Sequence, residues 1–265
     1  MSLTVIIISA AVISVTGLIV GFGLGLFGKK FQVEIDPREA AIRECLPGNN
    51  CGACGLAGCD AMAKAINEGT KPSGGCPVGG APVAEKISAI LGVTAAAVER
   101  KTAYVKCKGN WYVIKDRYKY SGMKDCSKAG NVPGGGAKAC TYGCLGFGTC
   151  ASVCEFDAIR IVNGIAVVDK EKCHACGKCV KACPRHLIEL VPYDAKYLVR
   201  CSSQDKGAAV RNNCEVGCLA CGLCAKTCPN EAIVMNGNVA RIDPEKCLGC
   251  GLCAQKCPAK VIESF

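Results

Sequence analysis

The chain opens on an unbroken apolar run. From Leu3 to Gly28 it reads LTVIIISAAVISVTGLIVGFGLGLFG, 26 residues without a charge, and about 20 such residues suffice for a helix to cross a bilayer. The run therefore predicts a single N-terminal transmembrane helix within residues 1–30. A cleaved signal peptide fits poorly: no basic stretch precedes the run, the run is too long, and no small-residue cleavage site follows it. Lys29 and Lys30 come directly after it, so the positive-inside rule places the remaining chain on the cytoplasmic side of the inner (cytoplasmic) membrane. Gly17, Gly21 and Gly25 recur four apart, with Ser14 near the same stripe. Such a face lets a partner helix approach closely, although glycine is common in membrane helices anyway and the stripe alone does not choose between the two readings.

Beyond a short charged link at 31–41 the pattern changes. Residues 81–103, APVAEKISAILGVTAAAVERKTA, set Ile87, Ile90, Leu91 and Val98 at helical spacing. Near the C-terminus, short segments around AIVM (232–235) and VARID (239–243) predict a β-hairpin. The text there is a repeat, since FDAIRIVNGIAVVDKEKC (156–173) returns 74 residues later as NEAIVMNGNVARIDPEKC (230–247). One supersecondary unit has been duplicated.

Composition explains what the repeat is for. Twenty-five of 265 residues are cysteine, while aromatic residues make up only 5%. A chain this long can bury a core but has few large side chains to fill one, so bound cofactors are expected to supply part of the interior and part of the folding free energy. Disulfides are not expected on the cytoplasmic side, and recurring C-x2-C pairs share a metal more readily than they bond to each other. Cys140, Cys144, Cys150, Cys154, Cys173, Cys176, Cys179 and Cys183 reappear at the same 74-residue offset as Cys214, Cys218, Cys224, Cys228, Cys247, Cys250, Cys253 and Cys257. Each unit ends in C-x2-C-x2-C-x3-C-P, as CHACGKCVKACP (173–184) and CLGCGLCAQKCP (247–258). In this bacterial ferredoxin run three cysteines hold one [4Fe–4S] cluster and the fourth ligates its neighbour. Zinc ribbons use two C-x2-C pairs separated by a longer loop and do not fit the pattern.

The second unit predicts two clusters, one held by Cys218, Cys221, Cys224 and Cys257 and one by Cys228, Cys247, Cys250 and Cys253. The first unit departs from this, because Phe147 stands where the offset predicts the counterpart of Cys221. Cys140 is the natural replacement, giving Cys140, Cys144, Cys150 and Cys183 for one cluster and Cys154, Cys173, Cys176 and Cys179 for the other.

Upstream, CLPGNNCGACGLAGC (45–59) carries Cys51, Cys54 and Cys59 at C-x2-C-x4-C spacing, and Cys76 follows in GGCPVGG. A membrane anchor, then LPGNNCGACGLAGC with a distal C-P, then ferredoxin modules resembles, over the whole chain, the B subunit of the Rnf complex, the ion-translocating ferredoxin:NAD oxidoreductase. YGCLGFGTC (142–150) is similar to the longer form of that protein. The resemblance implies that Cys51, Cys54, Cys59 and Cys76 hold a [4Fe–4S] cluster, for five clusters in all. Cys45 then lies outside the site. Cys107, Cys126, Cys201 and Cys214 are one further cluster's worth, with unliganded buried thiols as their default reading.

The expected fold is α+β: the anchor (1–30), a small [4Fe–4S] domain (31–80), a helical linker and connecting segment (81–139), and two ferredoxin-like modules (140–190 and 191–265). The formal charge of +10 is largely offset once each cluster with its four thiolates contributes about −2. Lys106, Lys108, Lys115, Arg117, Lys119 and Lys124 could steer an acidic ferredoxin or simply form a solvated face. The basic residues are scattered and come with no recognition module, which argues against nucleic acid. There is no nucleophile with its base and no nucleotide loop, and GGG at 134–136 lacks the strand and helix of a phosphate site. The resemblance implies an electron-transfer subunit that accepts electrons from soluble ferredoxin and relays them to membrane partners, which couple NAD reduction to Na+ or H+ movement. The alternative is a polyferredoxin-like subunit of another membrane redox enzyme, a hydrogenase or dehydrogenase.

Overall fold

A computed structural model describes residues 3–30, 36–94 and 99–265, with side chains in the first stretch at 4, 7, 8 and 11–27. Helix α1 (Leu3–Lys30) runs for 28 residues, about 42 Å at 1.5 Å per residue. Its described apolar side chains project outward, Leu18 at 73% and Phe22 at 72% exposure, with no protein face covering them. Among the described residues, whose unbroken run of side chains in α1 is 11–27, no helix is long and apolar enough to cross a membrane.

Three short helices build the next unit. Helix α2 (Pro37–Cys45) starts with proline in its first turn behind Asp36, whose carboxylate accepts from the Arg38 amide, the preferred chemistry for a helix start. Helix α3 (Cys59–Asn67) buries Met62, Ala63 and Ile66, and α4 (Gly80–Leu91) adds Ile87 to the same core. Of the helical positions expected over 81–103, Ile87 is fully buried and Ile90 is exposed, while Val98 lies outside the described residues. The helix ends at Gly92, which takes a left-handed φ of 68°, a conformation glycine adopts without strain.

Past that point Lys101–Val105 forms strand β1. Helix α5 (Cys126–Gly130) and α6 (Thr149–Ser152) follow, then the hairpin of β2 (Ile159–Val162) and β3 (Ile165–Val168), helix α7 (Lys178–Ala182) and β4 (Ile188–Pro192). Strand β1 pairs antiparallel with β4, so the connecting segment supplies an edge of the first module. The second module repeats the plan with β5 (Tyr197–Val199), α8 (Gly207–Asn213), α9 (Leu223–Thr227), the hairpin of β6 (Ile233–Asn236) and β7 (Val239–Ile242), α10 (Leu252–Lys256) and β8 (Ile262–Ser264), in which β5 pairs with β8. In each module an apolar hairpin and four to five short elements close over buried cysteines, which form part of the core themselves.

Backbone conformation follows the duplication. Helices α6, α7, α9 and α10 each begin behind a glycine with φ between 69° and 84°: Gly148, Gly177, Gly222 and Gly251. Each of these helices carries a cysteine as its second residue, so the left-handed step sets the angle at which that thiol enters the module.

The two modules are tied together by ion pairs. Glu189 on β4 meets Lys106 at 2.8 Å and Arg241 at 3.1 Å, and Glu263 on β8 meets Arg200 at 3.2 Å and also Lys108. Lys106 and Lys108 are thus half-buried structural cations rather than part of a solvated face, and Arg117 donates to the carbonyls of Gly134 and Ala139. Of the six basic residues that could steer an acidic partner, Lys115, Arg117, Lys119 and Lys124 remain exposed without an ion pair among the described residues.

Candidate metal centres

The second module gathers its cysteines in two cavities. Cys218, Cys221, Cys224 and Cys257 line one, and Cys228, Cys247, Cys250 and Cys253 line another. No charged side chain borders either. Burial pushes the Cys224 thiol up to about 11, with the charges of Cys218, Cys257 and Cys221 adding to the shift.

In the first module burial pushes the Cys179 thiol up to about 12, and the charges of Cys173, Cys176 and Cys154 add to the shift. The other set differs from the sequence expectation. Cys144, Cys150 and Cys183 line a cavity together with Cys126, not Cys140. The cause is local: Asp125 caps α5 through the Ser127 and Lys128 amides, the Thr149 hydroxyl donates to the Asp125 carboxylate at 3.1 Å, and the Cys126 amide donates to that hydroxyl at 2.8 Å. These bonds dock the start of α5 on the start of α6, one residue from Cys150. Cys126 fills the place left by Phe147, which packs instead against Tyr120 with ring centroids 5.2 Å apart.

Cys140 lies in a further cavity, between the modules. It is lined by Cys107, Cys140, Cys201 and Cys214. Both flanking modules touch it, since the Cys144 amide donates to Cys107 Sγ and the Cys218 amide to Cys201 Sγ, each at 3.3 Å. Burial pushes the Cys201 thiol up to about 12, opposed by the amides of Cys218 and Ser203, and burial likewise raises Cys140 and Cys214. Arg200 borders the cavity and, among the described residues, its buried Nε has no partner.

In the N-terminal unit the loop before α3 is held by Asn50, whose side-chain oxygen accepts from the Cys59 amide at 2.7 Å. Cys54, Cys59 and Cys76 pack on the core of Ile42, Met62 and Ile66. Burial raises the Cys76 thiol, the amides of Gly79 and Val78 lower it, and Cys59 and Cys51 lie near enough to raise it further. Cys45, at the end of α2, packs on the same core. The charge of Cys51 also acts on Cys176 of the first module.

The donor sets suit a cluster better than a single ion. All 25 cysteines are free thiols, and among the described residues no three ligand side chains converge on one metal point. Cysteines spread around a cavity are what a cubane requires, because each thiolate binds a different iron. Removing the proton from thiols raised this far is the work of the metal, so loading the sites releases protons.

Comparison with known proteins agrees with this chemistry. A family model described as "Putative Fe-S cluster" matches residues 46–78, "4Fe-4S binding domain" matches 166–189, and "4Fe-4S dicluster domain" matches 217–261. The B subunit of the Na(+)-translocating ferredoxin:NAD(+) oxidoreductase complex of Acetobacterium woodii is 46% identical over 92% of this chain and 73% of its own length. The B subunit of the proton-translocating ferredoxin:NAD(+) oxidoreductase complex of Clostridium ljungdahlii is 40% identical over 90% and 84%. The B subunit of the ion-translocating oxidoreductase complex of Methanosarcina acetivorans is 41% identical over 98% of both chains. With identity of this order running the length of the chain, and with four cavities each lined by four cysteines, the chain belongs to the family of Rnf complex B subunits.

Proposed function

We propose that this iron–sulfur component of an Rnf complex accepts electrons from reduced ferredoxin and passes them along six [4Fe–4S] sites toward membrane partners. The observation that carries the reading is the cavity between the modules, which supplies a relay where two separate ferredoxin units would otherwise leave a gap. A [4Fe–4S] cluster, when bound, supplies one-electron transfer. The chain's own residues supply the order. Cys218 meets Cys201, Cys107 meets Cys144, and Cys51 interacts with Cys176, which supports a line from the second module through the intermodule site and the first module to the N-terminal unit. The ligand sets are Cys228, Cys247, Cys250 and Cys253; Cys218, Cys221, Cys224 and Cys257; Cys107, Cys140, Cys201 and Cys214; Cys126, Cys144, Cys150 and Cys183; Cys154, Cys173, Cys176 and Cys179; and Cys51, Cys54, Cys59 and Cys76.

The N-terminal unit joins α1, which we place across the membrane on its 26 uncharged residues and its outward apolar side chains. Lys29 and Lys30 put the iron–sulfur units on the cytoplasmic side. NAD chemistry and Na+ or H+ movement fall to other subunits.

Iron determination on the anaerobically purified chain tests the count: about 24 irons per chain are expected at four per site, and about 20 would remove the intermodule site. Co-purification tests the partners, with multi-span and flavin-bearing subunits and ferredoxin:NAD activity expected, and a hydrogenase counting against the reading. Cys45 is the one cysteine outside the six sets. Cys45→Ala is expected to keep the full iron content and EPR spectrum, and loss of four irons in that variant would return Cys45 to the N-terminal site.

A further inference from the structure

Two cations in the first module, Lys138, which is buried, and Arg185, which is half-buried, have no carboxylate within ion-pair distance among the described residues. Lys138 is only 5% exposed, and its Nζ donates to the carbonyls of Gly109 at 3.1 Å and Gly164 at 2.6 Å. The charges acting on it are, in order, Cys107, Cys144, Asp116 and Cys214. Arg185 lines the cavity of Cys126, Cys144, Cys150 and Cys183 and donates to the Gly135 carbonyl. Its buried Nη1 has no partner among the described residues, and Cys140, Cys183, Cys144 and Cys107 are the charges acting on it. A buried charge without a counter-charge is costly. Here the opposite charges on hand are chiefly the thiolates of two neighbouring cysteine sets.

The internal repeat provides the comparison. At the 74-residue offset the counterpart of Lys138 is Asn212, which is exposed, and that of Arg185 is Ala259. Ala259 lines the equivalent cavity of the second module, which no charged side chain borders. The two copies thus differ by one positive charge on the cavity lining, Arg185 against Ala259, and by a second nearby, Lys138, whose charge acts on Cys107 and on Cys144 of that site, in a low-dielectric setting where charge acts strongly. Positive charge favours the reduced, more negative state of a site, and net charge is one of the terms that set cluster potentials.

We infer that Lys138 and Arg185 raise the reduction potential of the site at Cys126, Cys144, Cys150 and Cys183 above that of its repeat counterpart at Cys218, Cys221, Cys224 and Cys257, and so draw electrons from the second module into the first. One electron leaves the second-module site, oxidising it, and one arrives at the first-module site, reducing it. No other reactant takes part. The inference rests on the six-site assignment above. Exposure of Cys221 acts on the other site's potential, so substitution at one position measures the charge effect more directly than the raw difference between sites.

The test is an EPR-monitored potentiometric titration of the anaerobically purified full chain, with iron determined on every sample. Arg185→Met is expected to lower one midpoint enough to change the reduced-to-oxidised ratio at fixed ambient potential tenfold or more, about 59 mV for one electron, with iron content unchanged. Arg185→Lys, which keeps the charge, is expected to restore it. An unmoved midpoint at full iron content overturns the inference, and so does an equal fall in the Met and Lys variants, which would mark packing rather than charge. If Arg185→Met loses iron, the comparison passes to Lys138→Gln, which retains a donor toward Gly109 and Gly164; an unmoved midpoint there overturns it as well. Wild-type iron short of about 24 per chain would count against the six-site assignment itself, separately from any shift.

Discussion

Cys140→Ala is expected to cost four of about 24 irons and to leave the EPR signal of the first module's own sites in place, whereas Cys126→Ala is expected to remove one of those sites. A ferredoxin-like reading of the sequence predicts the reverse, with Cys140 essential to the first module and Cys126 a bystander. The structure separates the two thiols by their surroundings. Cys126 shares a cavity with Cys144, Cys150 and Cys183, fixed there by the bond between its amide and Thr149. Cys140 shares one with Cys107, Cys201 and Cys214. The functional consequence follows from position: a donor should still reduce the second module of Cys140→Ala, but reducing equivalents should no longer reach the first. Loss of the first-module signal in Cys140→Ala, with Cys126→Ala unaffected, would reinstate the sequence assignment and remove the relay.

The repeat itself contained the signal that distinguishes these readings. Cys140 and Cys214 occupy one position of the duplicated unit. The second module completes two ferredoxin sets without Cys214, so symmetry makes Cys140 equally unnecessary to the first. Recruiting Cys140 to replace the cysteine absent at Phe147 breaks that symmetry, and taking Cys140 and Cys214 together keeps it. Cys126 was harder to place. The 74-residue offset puts Arg200 opposite it, and only the docking of α5 on α6 through Asp125 and Thr149 brings it into range.

Other parts of the fold divide in the same way between local and distant causes. The β6–β7 hairpin is local, and the short segments around AIVM and VARID made it readable; the repeat carries the same hairpin to β2–β3. The β1–β4 pair joins Val105 to Ile188, strands of five residues whose partnership depends on the chain returning after more than 80 positions, and no periodic pattern records that. The charged side chains behaved likewise. Lys106 and Lys108 look solvated in sequence because their partners, Glu189 and Glu263, lie on distant strands.

Cys54→Ala is expected to block reduction of the membrane partners while ferredoxin still reduces the two modules. On the proposed order the N-terminal unit ends the line of sites on the side of α1, and Cys51 lies near enough to Cys176 for its charge to act there. Removing Cys54 takes one of four thiolates from a site whose loop is held by Asn50 and whose closing ligand, Cys76, is buried in the unit's core. Four irons should be lost, and the core of Ile42, Met62, Ile66 and Ile87 should keep the helices folded without them, so far-UV circular dichroism is expected to change little. Stopped-flow reduction by ferredoxin would then show the remaining sites, about 20 irons, filling at the wild-type rate. Partner-dependent reoxidation would be abolished, because every path from the modules toward the anchor on this reading crosses the missing site. If membrane partners in the assembled complex still oxidise the variant at the wild-type rate, electrons leave from elsewhere on the modules, and the order of sites proposed for this chain is wrong even though its ligand sets are right.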